Sequence, residues 1–281
     1  MLFLILHVLL LSSFGLVAKH YQASGRNLLS IGAVNYAFAA VVAALSIIYK
    51  GSFRFSITTC IIGVLAGIAY STSYFLMIKA IKSSGISITW SVIRLSILIP
   101  ILLSIFVWHE SPSIYQIMGI ACMCVSLPLL SIRPNEGSTH RAFGKASLLI
   151  IVLFIAAGGV NLAPKVFNEL SPESHRQTYL LFLFSTAAIT SGCMLIFTRS
   201  SPKLPDIPVG MGLGLCNLLA RYFLLLALTR LPGVVVFPIS GSLGIVLIAL
   251  AGMVIWKEKL KGLNILGIAF AIITVVLISL E

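Results

Sequence analysis

Two arginines lie inside long apolar stretches, where a positive charge is costly. Arg94 belongs to the apolar run 85–107 and Arg221 to the run 207–229. A charge at the centre of a membrane-spanning helix costs about 2.5–3.5 kcal/mol on insertion scales. Such a residue therefore faces the interior of a helix bundle or a water-filled cavity. Two arginines placed in this way predict a cavity that carries two positive charges.

The sequence offers these arginines no carboxylate partner within the apolar runs. All seven acidic residues lie in loops or at the ends of runs. A substrate carboxylate or phosphate is therefore a natural partner, because a guanidinium group binds such oxyanions in bidentate fashion. The alternative is structural, with each arginine bonded to backbone carbonyls or extended toward the membrane surface.

Other polar and aromatic side chains within the runs could line the same cavity. His7 is a candidate carrier of a coupling proton, because a histidine can titrate near neutral pH. Each candidate also has a structural alternative: packing for the histidine, interfacial anchoring for the lysines and the tryptophan, and interhelical hydrogen bonding for the asparagines. The candidates for substrate contact, besides the two arginines, are His7, Lys19, Tyr70, Ser73, Tyr74, Trp90, Asn161, Lys165, Asn217 and Ser242.

Composition shows what kind of scaffold must position these residues. Of the 281 residues, 59% are hydrophobic and 9% charged, against about 25% charged in soluble domains. The net charge of +12 sits mainly in short loops between apolar runs, which indicates membrane topology and contact with anionic headgroups rather than nucleic-acid binding. The five cysteines all lie in apolar runs, so the sequence predicts neither a disulfide framework nor a metal site. No cofactor is expected.

Ten runs are long and apolar enough to cross the bilayer, which takes about 20 helical residues. They must be helices, because every backbone polar group in lipid has to be paired internally. The sequence thus predicts an all-α integral membrane protein with ten transmembrane helices. The predicted spans are 2–18, 28–49, 56–78, 85–107, 113–132, 146–167, 177–198, 207–229, 233–256 and 262–280.

The chain is also an internal duplication. Residues 85–110 match residues 233–258 at an offset of 148 (233 − 85), with Trp108 on Trp256. Each half then holds five spans, and an odd number forces the two copies to enter the membrane from opposite sides. Inverted repeats of this kind are typical of transporters, whose substrate site lies where the repeats meet. We therefore expect one repeat at 1–135, a connecting loop at 136–145 and a second repeat at 146–281.

These features resemble the EamA-type members of the drug/metabolite transporter superfamily. The resemblance implies a ten-helix bundle around a central cavity lined by spans 1, 3, 4, 6, 8 and 9, which works by alternating access without ATP. Arg94 and Arg221 depart from the family, in which such positions are often uncharged, so the resemblance does not identify the substrate. The residues that carry the resemblance are 14–19 and 160–165, Ala80, Gly85, Pro100, and two Glu-to-Gly spacings at Glu110 with Gly119 and Glu258 with Gly267.

Two further patterns predict structure rather than substrate contact. The motifs Gly63-x-x-x-Gly67 and Gly210-x-x-x-Gly214 predict close helix packing. Glu110 and its repeat partner Glu258 follow spans 4 and 9. We expect each to cap the N-terminus of the next helix, where a carboxylate is favoured.

Together these features predict a secondary active transporter for a small anionic or zwitterionic metabolite, such as an amino acid, an organic acid or a sugar phosphate. The alternative is a non-transporting membrane sensor or assembly factor with a similar cavity. An enzyme is not expected, because His7 is the only conspicuous titratable group inside a span besides the basic residues. We expect a monomer or homodimer in a bacterial inner membrane. The basic loops place both termini outside, whereas the resemblance places them in the cytoplasm, and both orientations stay open.

Overall fold

The computed structural model describes residues 1–23, 27–51, 53–131, 145–257 and 262–280, and within them the backbone is helical with no strand. The predicted all-α class is confirmed. A short 3-10 helix, Glu173–His175, precedes α8. The α-helices are α1 (Leu2–Ala23), α2 (Leu28–Lys50), α3 (Ile57–Ser84), α4 (Ile86–Leu95), α5 (Leu98–Phe106), α6 (Ile114–Ser131), α7 (Lys145–Leu170), α8 (Arg176–Phe197), α9 (Asp206–Leu228), α10 (Gly233–Trp256) and α11 (Gly262–Ser279).

Most of these helices can cross a membrane. Within the described residues, eight helical stretches have at least 18 residues and sufficient hydropathy. Two other apolar stretches, Leu2–Val17 and Ile114–Leu130, are shorter. The chain is therefore a multi-pass integral membrane protein. Ten spans stay a prediction, because these two stretches fall short of the roughly 20 residues that a perpendicular crossing needs.

The fourth predicted span, 85–107, is two helices rather than one. α4 and α5 are separated by a turn at Ser96 and Ile97. Pro100 explains this break, because proline has no N–H for the carbonyl four residues earlier and its ring crowds that carbonyl. The carbonyl of Ser96, four residues before Pro100, instead accepts from the N–H of Ile99 at 3.1 Å. The break thus falls directly beyond Arg94.

The chain divides into two compact units. The first comprises Met1–Phe75 and Ala163–Thr229, and the second Leu76–Leu162 and Arg230–Glu281. Each unit takes residues from both predicted repeats, since the division cuts through α3 and α7. The repeats at 1–135 and 146–281 therefore describe a relationship in sequence, and they stay a prediction. Residues 136–144 of the predicted connecting loop lie outside the described residues, and Lys145 begins α7.

In the first unit, α2 packs against α8 and α9, and α1 packs against α9. Glycines allow two close helix contacts, one between α3 and α8 and one between α9 and α2. A methyl group on Gly63 of α3 would lie 2.8 Å from the Cβ of Phe182 in α8. A methyl group on Gly210 of α9 would lie 2.6 Å from the Cβ of Val34 in α2. The glycines are 147 positions apart (210 − 63) and their partners 148 (182 − 34), so one contact repeats the other.

The same contact recurs one turn later. A methyl group on Gly67 would lie 2.7 Å from the Cβ of Thr186, and one on Gly214 would lie 2.6 Å from the carbonyl oxygen of Asn35. The close packing predicted for both glycine motifs is confirmed. The offset of 147 between these glycines also changes which residue of the first repeat corresponds to Arg221. It matches Arg221 with Tyr74 (221 − 147), whereas the offset of 148 matches it with Ser73.

In the second unit, α6 packs against α11, and α10 packs against α5, α6 and α11. Glycines again occur in a reciprocal pair. A methyl group on Gly119 of α6 would lie 2.7 Å from the Cγ1 of Ile278, and one on Gly267 of α11 would lie 2.7 Å from the Cγ of Leu130. Both the glycines and their partners are 148 positions apart (267 − 119 and 278 − 130).

Glu110 caps a helix, as predicted, but a different one. Its carboxylate accepts hydrogen bonds from the backbone N–H groups of Gly233 and Val234 at the start of α10. The next helix in sequence, α6, is capped by its own residues, since the Ser113 hydroxyl accepts from the N–H of Gln116 at 3.3 Å. Glu258 lies outside the described residues.

Candidate functional site in the first unit and a polar cluster in the second

Arg221 is buried in α9 of the first unit, with 7% of its surface exposed. Its guanidinium carbon lies 4.8 Å from the ring centroid of Tyr70 in α3, which is a cation–π contact. Its Nε is buried without a hydrogen-bond partner. Among the described residues, no carboxylate forms an ion pair with Arg221. The charge predicted from sequence is therefore enclosed by protein and is not neutralised by an acidic side chain of that part.

His7 in α1 lies beside this arginine. Its Nδ1 is 2.8 Å from the backbone oxygen of Ala220, the residue before Arg221. A carbonyl only accepts, so this nitrogen carries the proton and donates it. His7 is 2% exposed and interacts electrostatically with Arg221. The imidazole of His7 thus connects α1 to α9 next to Arg221.

Tyrosines form the wall around Arg221. Tyr36 of α2 meets the rings of Tyr70 and Tyr74 edge to face, with centroids 6.4 and 6.2 Å apart. Tyr179 of α8 interacts electrostatically with both Tyr70 and Arg221. The hydroxyl groups of Tyr70 and Tyr179 are buried and have no hydrogen-bond partner. A buried polar group without a partner costs about 1–3 kcal/mol, so each of these groups would gain from an acceptor.

The unpaired groups share one chemical property, because each can donate a hydrogen bond. They are the Nε–H of Arg221 and the hydroxyls of Tyr70 and Tyr179. A guanidinium together with phenol donors suits an oxyanion, which accepts several hydrogen bonds at once. The site thus presents donors of the kind that an oxyanion such as a carboxylate or a phosphate requires. It offers no carboxylate of its own for general acid–base chemistry among these residues.

The other predicted residues of this unit have varied surroundings. The hydroxyl of Tyr74 donates to the carbonyl of Leu28 at 2.8 Å. Asn217 is buried one helical turn before Arg221, which places both on one face of α9. Ser73 is half-buried. Two lysines remain: Lys165 is buried and ion-paired with Glu169 on its own helix, and the side chain of Lys19 lies outside the described residues.

In the second unit, Arg94 occupies the last turn of α4 and is half-buried. Its guanidinium carbon lies 6.0 Å from the ring of Trp90, one turn earlier. As with Arg221, no carboxylate in the described ranges pairs with it. Arg94 lies directly before the turn at Ser96 and Ile97, where the backbone dihedral angles stay in the right-handed helical region. The turn belongs to one candidate membrane span, Ile88–Phe106.

Polar groups surround the turn at Ser96 and Ile97. Asn161 of α7 donates to the hydroxyl of Ser96 at 3.3 Å. A methyl group on Gly241 of α10 would lie 3.2 Å from the side chain of Ile97, which places α10 beside the turn. The adjacent Ser242 is fully buried, and its hydroxyl has no partner. The predicted residues of this unit thus lie around one turn, whereas a single cavity that joins Arg94 to Arg221 stays a prediction.

Two residues of the Arg221 site were not predicted from the sequence. Tyr36 and Tyr179 lie in apolar runs, where a tyrosine reads as an ordinary packing residue. A signal was available for Tyr36, which falls within a span as Tyr70 and Tyr74 do. Tyr179 lies at the start of the span 177–198, where a tyrosine is an ordinary interfacial residue. Only the packing of α2, α3 and α8 around α9 shows that they share a site.

Comparison with known proteins agrees with the resemblance seen in the sequence. Residues 1–132 match the model of the EamA-like transporter family, so that resemblance is confirmed over this part of the chain. An uncharacterized protein of Haemophilus influenzae is 26% identical over 209 residues, which cover 73% of this chain and 70% of the relative. One solved crystal structure superposes with a TM-score of 0.79 at 17% identity, over 99% of this chain and 96% of the other. This last likeness concerns the fold alone.

Proposed function

Because residues 1–132 match a family of membrane transporters, we propose that the chain is a secondary active transporter that moves a small polar metabolite by alternating access. The substrate carries a carboxylate or a phosphate, as an amino acid, an organic acid or a sugar phosphate does. It crosses a bacterial inner membrane. The protein works as a monomer or homodimer and uses no cofactor.

The observation that carries the substrate class is the environment of Arg221. The side chain is buried, its Nε lacks a partner, and the nearby hydroxyls of Tyr70 and Tyr179 also lack one. Keeping a buried charge without a counterion is costly. A charged substrate that supplies the missing acceptors offsets that cost, which gives the protein a reason to retain the arginine.

Reciprocal contacts support an inverted repeat. Gly63 against α8 and Gly210 against α2 relate one copy to the other, and Gly119 with Gly267 does the same in the second unit. His109 and Lys257, at an offset of 148, share the left-handed backbone, with φ of 53° and 52°. A twofold relationship between two repeats requires that each makes the same contacts with the other. Transporters that work by alternating access are often built from such repeats.

We assign Arg221, Tyr70, Tyr74 and Asn217 to one part of the substrate site and Arg94, Trp90, Asn161 and Ser242 to another. Ser73, Lys19 and Lys165 are further candidates, of which Lys165 is disfavoured by its pairing with Glu169. His7 is the proposed carrier of a coupling proton. Each repeat thus contributes one of the two arginines.

The experiment is uptake by purified protein in proteoliposomes. A thermal-shift screen of carboxylates, phosphates and amino acids first identifies a ligand, which is then supplied as radiolabelled substrate. We expect uptake by the native protein and its loss in Arg221→Gln, because glutamine keeps a donor but removes the charge. Arg94→Gln should also reduce uptake strongly.

Arg176→Gln is the matched control. Arg176 also lies over a tyrosine, with its guanidinium carbon 5.7 Å from the ring of Tyr222, but it has its own carboxylate partner, Glu173, at 3.1 Å. This variant should keep uptake. Uptake at the native rate by all three variants would exclude an anion site at Arg94 and Arg221. Tight ligand binding without flux would instead favour the sensor or assembly factor.

A further inference from the structure

A small cleft in the first unit contains a buried amide that has no hydrogen-bond partner. Asn35 of α2 lines this cleft together with Tyr74 and apolar side chains such as Phe14, Val17 and Leu213. Asn35 is 0% exposed, and neither its Nδ2 nor its Oδ1 is bonded. An amide buried in this way gives up its hydrogen bonds to water and gains none in return. Asn35 therefore presents one donor and one acceptor to the cleft.

The cleft adjoins the Arg221 site. Tyr36, the next residue of α2, contacts the rings of Tyr70 and Tyr74, and Arg221 lies over Tyr70. Tyr74 also lines the cleft. The rings of Tyr74, Tyr36 and Tyr70 thus form a continuous series of contacts from the cleft to Arg221, so the amide and the guanidinium group belong to one polar-aromatic cluster.

The chemistry of the cleft selects its occupant. The centre of a water-sized sphere can occupy about 10 Å³ there, which is room for about one group of that size. A hydroxyl group can donate to Oδ1 and accept from Nδ2, so it satisfies both unpaired atoms. A carboxylate would meet one donor and be repelled by Oδ1. An ammonium group would meet one acceptor, with no carboxylate in the lining, and the Tyr74 hydroxyl is already bonded to Leu28.

We propose that Asn35 is a specificity-determining residue that binds a hydroxyl group of the same anion that Arg221 binds. This inference rests on the proposed function and narrows it. The substrate class becomes hydroxylated anions, meaning hydroxy acids or sugar phosphates, in preference to amino acids and to acids without a hydroxyl group.

The test compares anions that differ by one hydroxyl group. The probes are malate with succinate, lactate with propionate, and glycerol 3-phosphate with n-propyl phosphate, each titrated against the full-length protein in detergent. In the native protein, the hydroxylated member of at least one pair should bind about tenfold tighter, as expected when its absence leaves buried groups unpaired. Asn35→Leu and Asn35→Ala should bring that ratio close to one.

Two controls separate specificity from stability. Asn35→Leu replaces an unpaired amide by an apolar group of similar size, so its thermal stability should be unchanged or higher. Asn168→Ala removes an asparagine of the same unit that donates to the carbonyl of Leu228 at 2.9 Å. That variant should lose stability and keep the hydroxyl preference.

Each outcome decides the proposal. If anions bind in an Arg221-dependent way and their hydroxyl preference is absent or unchanged in both Asn35 variants, the cleft holds only water and the proposal is wrong while the proposed function stands. If none of the three pairs binds but another anion or an amino acid binds in an Arg221-dependent way, this proposal is wrong and the proposed function stands; if no carboxylate, phosphate or amino acid binds, both fail. Loss of the preference in Asn168→Ala as well would also overturn it, because the effect would then be a general loosening of the unit.

Discussion

The carboxylate of Glu110 accepts a hydrogen bond from the backbone N–H of Gly233 at 2.9 Å. A second bond, from the next N–H, measures 2.8 Å. The two residues are 123 positions apart in sequence, so a loop after α5 fixes the first turn of α10. His109 has a left-handed backbone, with φ of 53°. It therefore turns the chain directly before Glu110. A negative charge at this position also complements the positive end of the helix dipole.

Glu110→Ala should lower the stability of the protein by about 1–2 kcal/mol, because it leaves the first N–H groups of α10 without a cap. Glu110→Gln should lie between the alanine variant and the native protein, since an amide oxygen still accepts but carries no charge. Thermal unfolding in detergent measures the effect.

Glu173→Gln serves as the control for charge removal. The side chain of Glu173 is 67% exposed and pairs with that of Arg176, which is 11% exposed; the amide oxygen of glutamine can still accept a hydrogen bond from this guanidinium group, so only the charge is lost. Its unfolding temperature should stay close to the native value. If Glu173→Gln lowered the unfolding temperature as much as Glu110→Ala does, the cap on α10 would contribute no more to stability than this pair.

Gly214→Ala and Gly67→Ala should each destabilise the first unit by about 1–3 kcal/mol through overpacking. At Gly214 the added methyl group would meet the carbonyl oxygen of Asn35 at 2.6 Å. Backbone cannot turn aside as a side chain can, so the helices must separate. Thermal unfolding and the yield of monodisperse protein report the loss.

Gly212→Ala is the matched control on the same helix. An added methyl group there has nothing within 4 Å, and alanine favours a helix over glycine. Stability should therefore be unchanged or slightly higher. Equal losses at positions 212 and 214 would show that contact between α2 and α9 does not decide the result.

The sequence predicted the scaffold well because its signals are local. Apolar runs of span length define the helices, and the offset of 148 marks which helices correspond. The glycine motifs Gly63-x-x-x-Gly67 and Gly210-x-x-x-Gly214 predicted close approach, and the structure adds which helix approaches each of them. The sequence prediction did not include the turn beyond Arg94, although Pro100 indicates a break in the helix. An apolar run hides a turn, since hydropathy does not depend on backbone conformation.

Tertiary partners could not be predicted in the same way. A cap was expected for Glu110, but its helix follows from the packing of α5 against α10 and not from sequence order. Tyr36 and Tyr179 join the Arg221 site because α2 and α8 pack together, which no spacing in the sequence encodes. Of the four tyrosines around Arg221, the sequence therefore predicted Tyr70 and Tyr74 and left Tyr36 and Tyr179 unassigned.

Tyr70→Phe should separate folding from binding. The ring that lies under Arg221 is kept, and the lost hydroxyl has no partner in the free protein, so stability should be unchanged or higher. Affinity for the anion should fall about tenfold or more, because a hydrogen bond to a charged group is lost. Isothermal titration and thermal unfolding measure the two effects on the same sample.

Tyr74→Phe provides the comparison. Its hydroxyl donates to the carbonyl of Leu28 at 2.8 Å, so removing it should cost about 1 kcal/mol of stability. The hypothesis of a donor site at Arg221 would be wrong if Tyr70→Phe lost stability as Tyr74→Phe does and bound the anion as well as the native protein.

His7→Gln tests the proposed coupling proton. A glutamine amide can still donate to the carbonyl of Ala220, which His7 contacts at 2.8 Å, so the link between α1 and α9 should survive. Glutamine cannot take up a proton, however, because its amide does not titrate in this range. We therefore expect the variant to exchange labelled for unlabelled substrate across proteoliposomes while losing accumulation driven by a pH gradient. Accumulation at the native rate would show that the proton travels elsewhere, and loss of exchange as well would make His7 a structural link only.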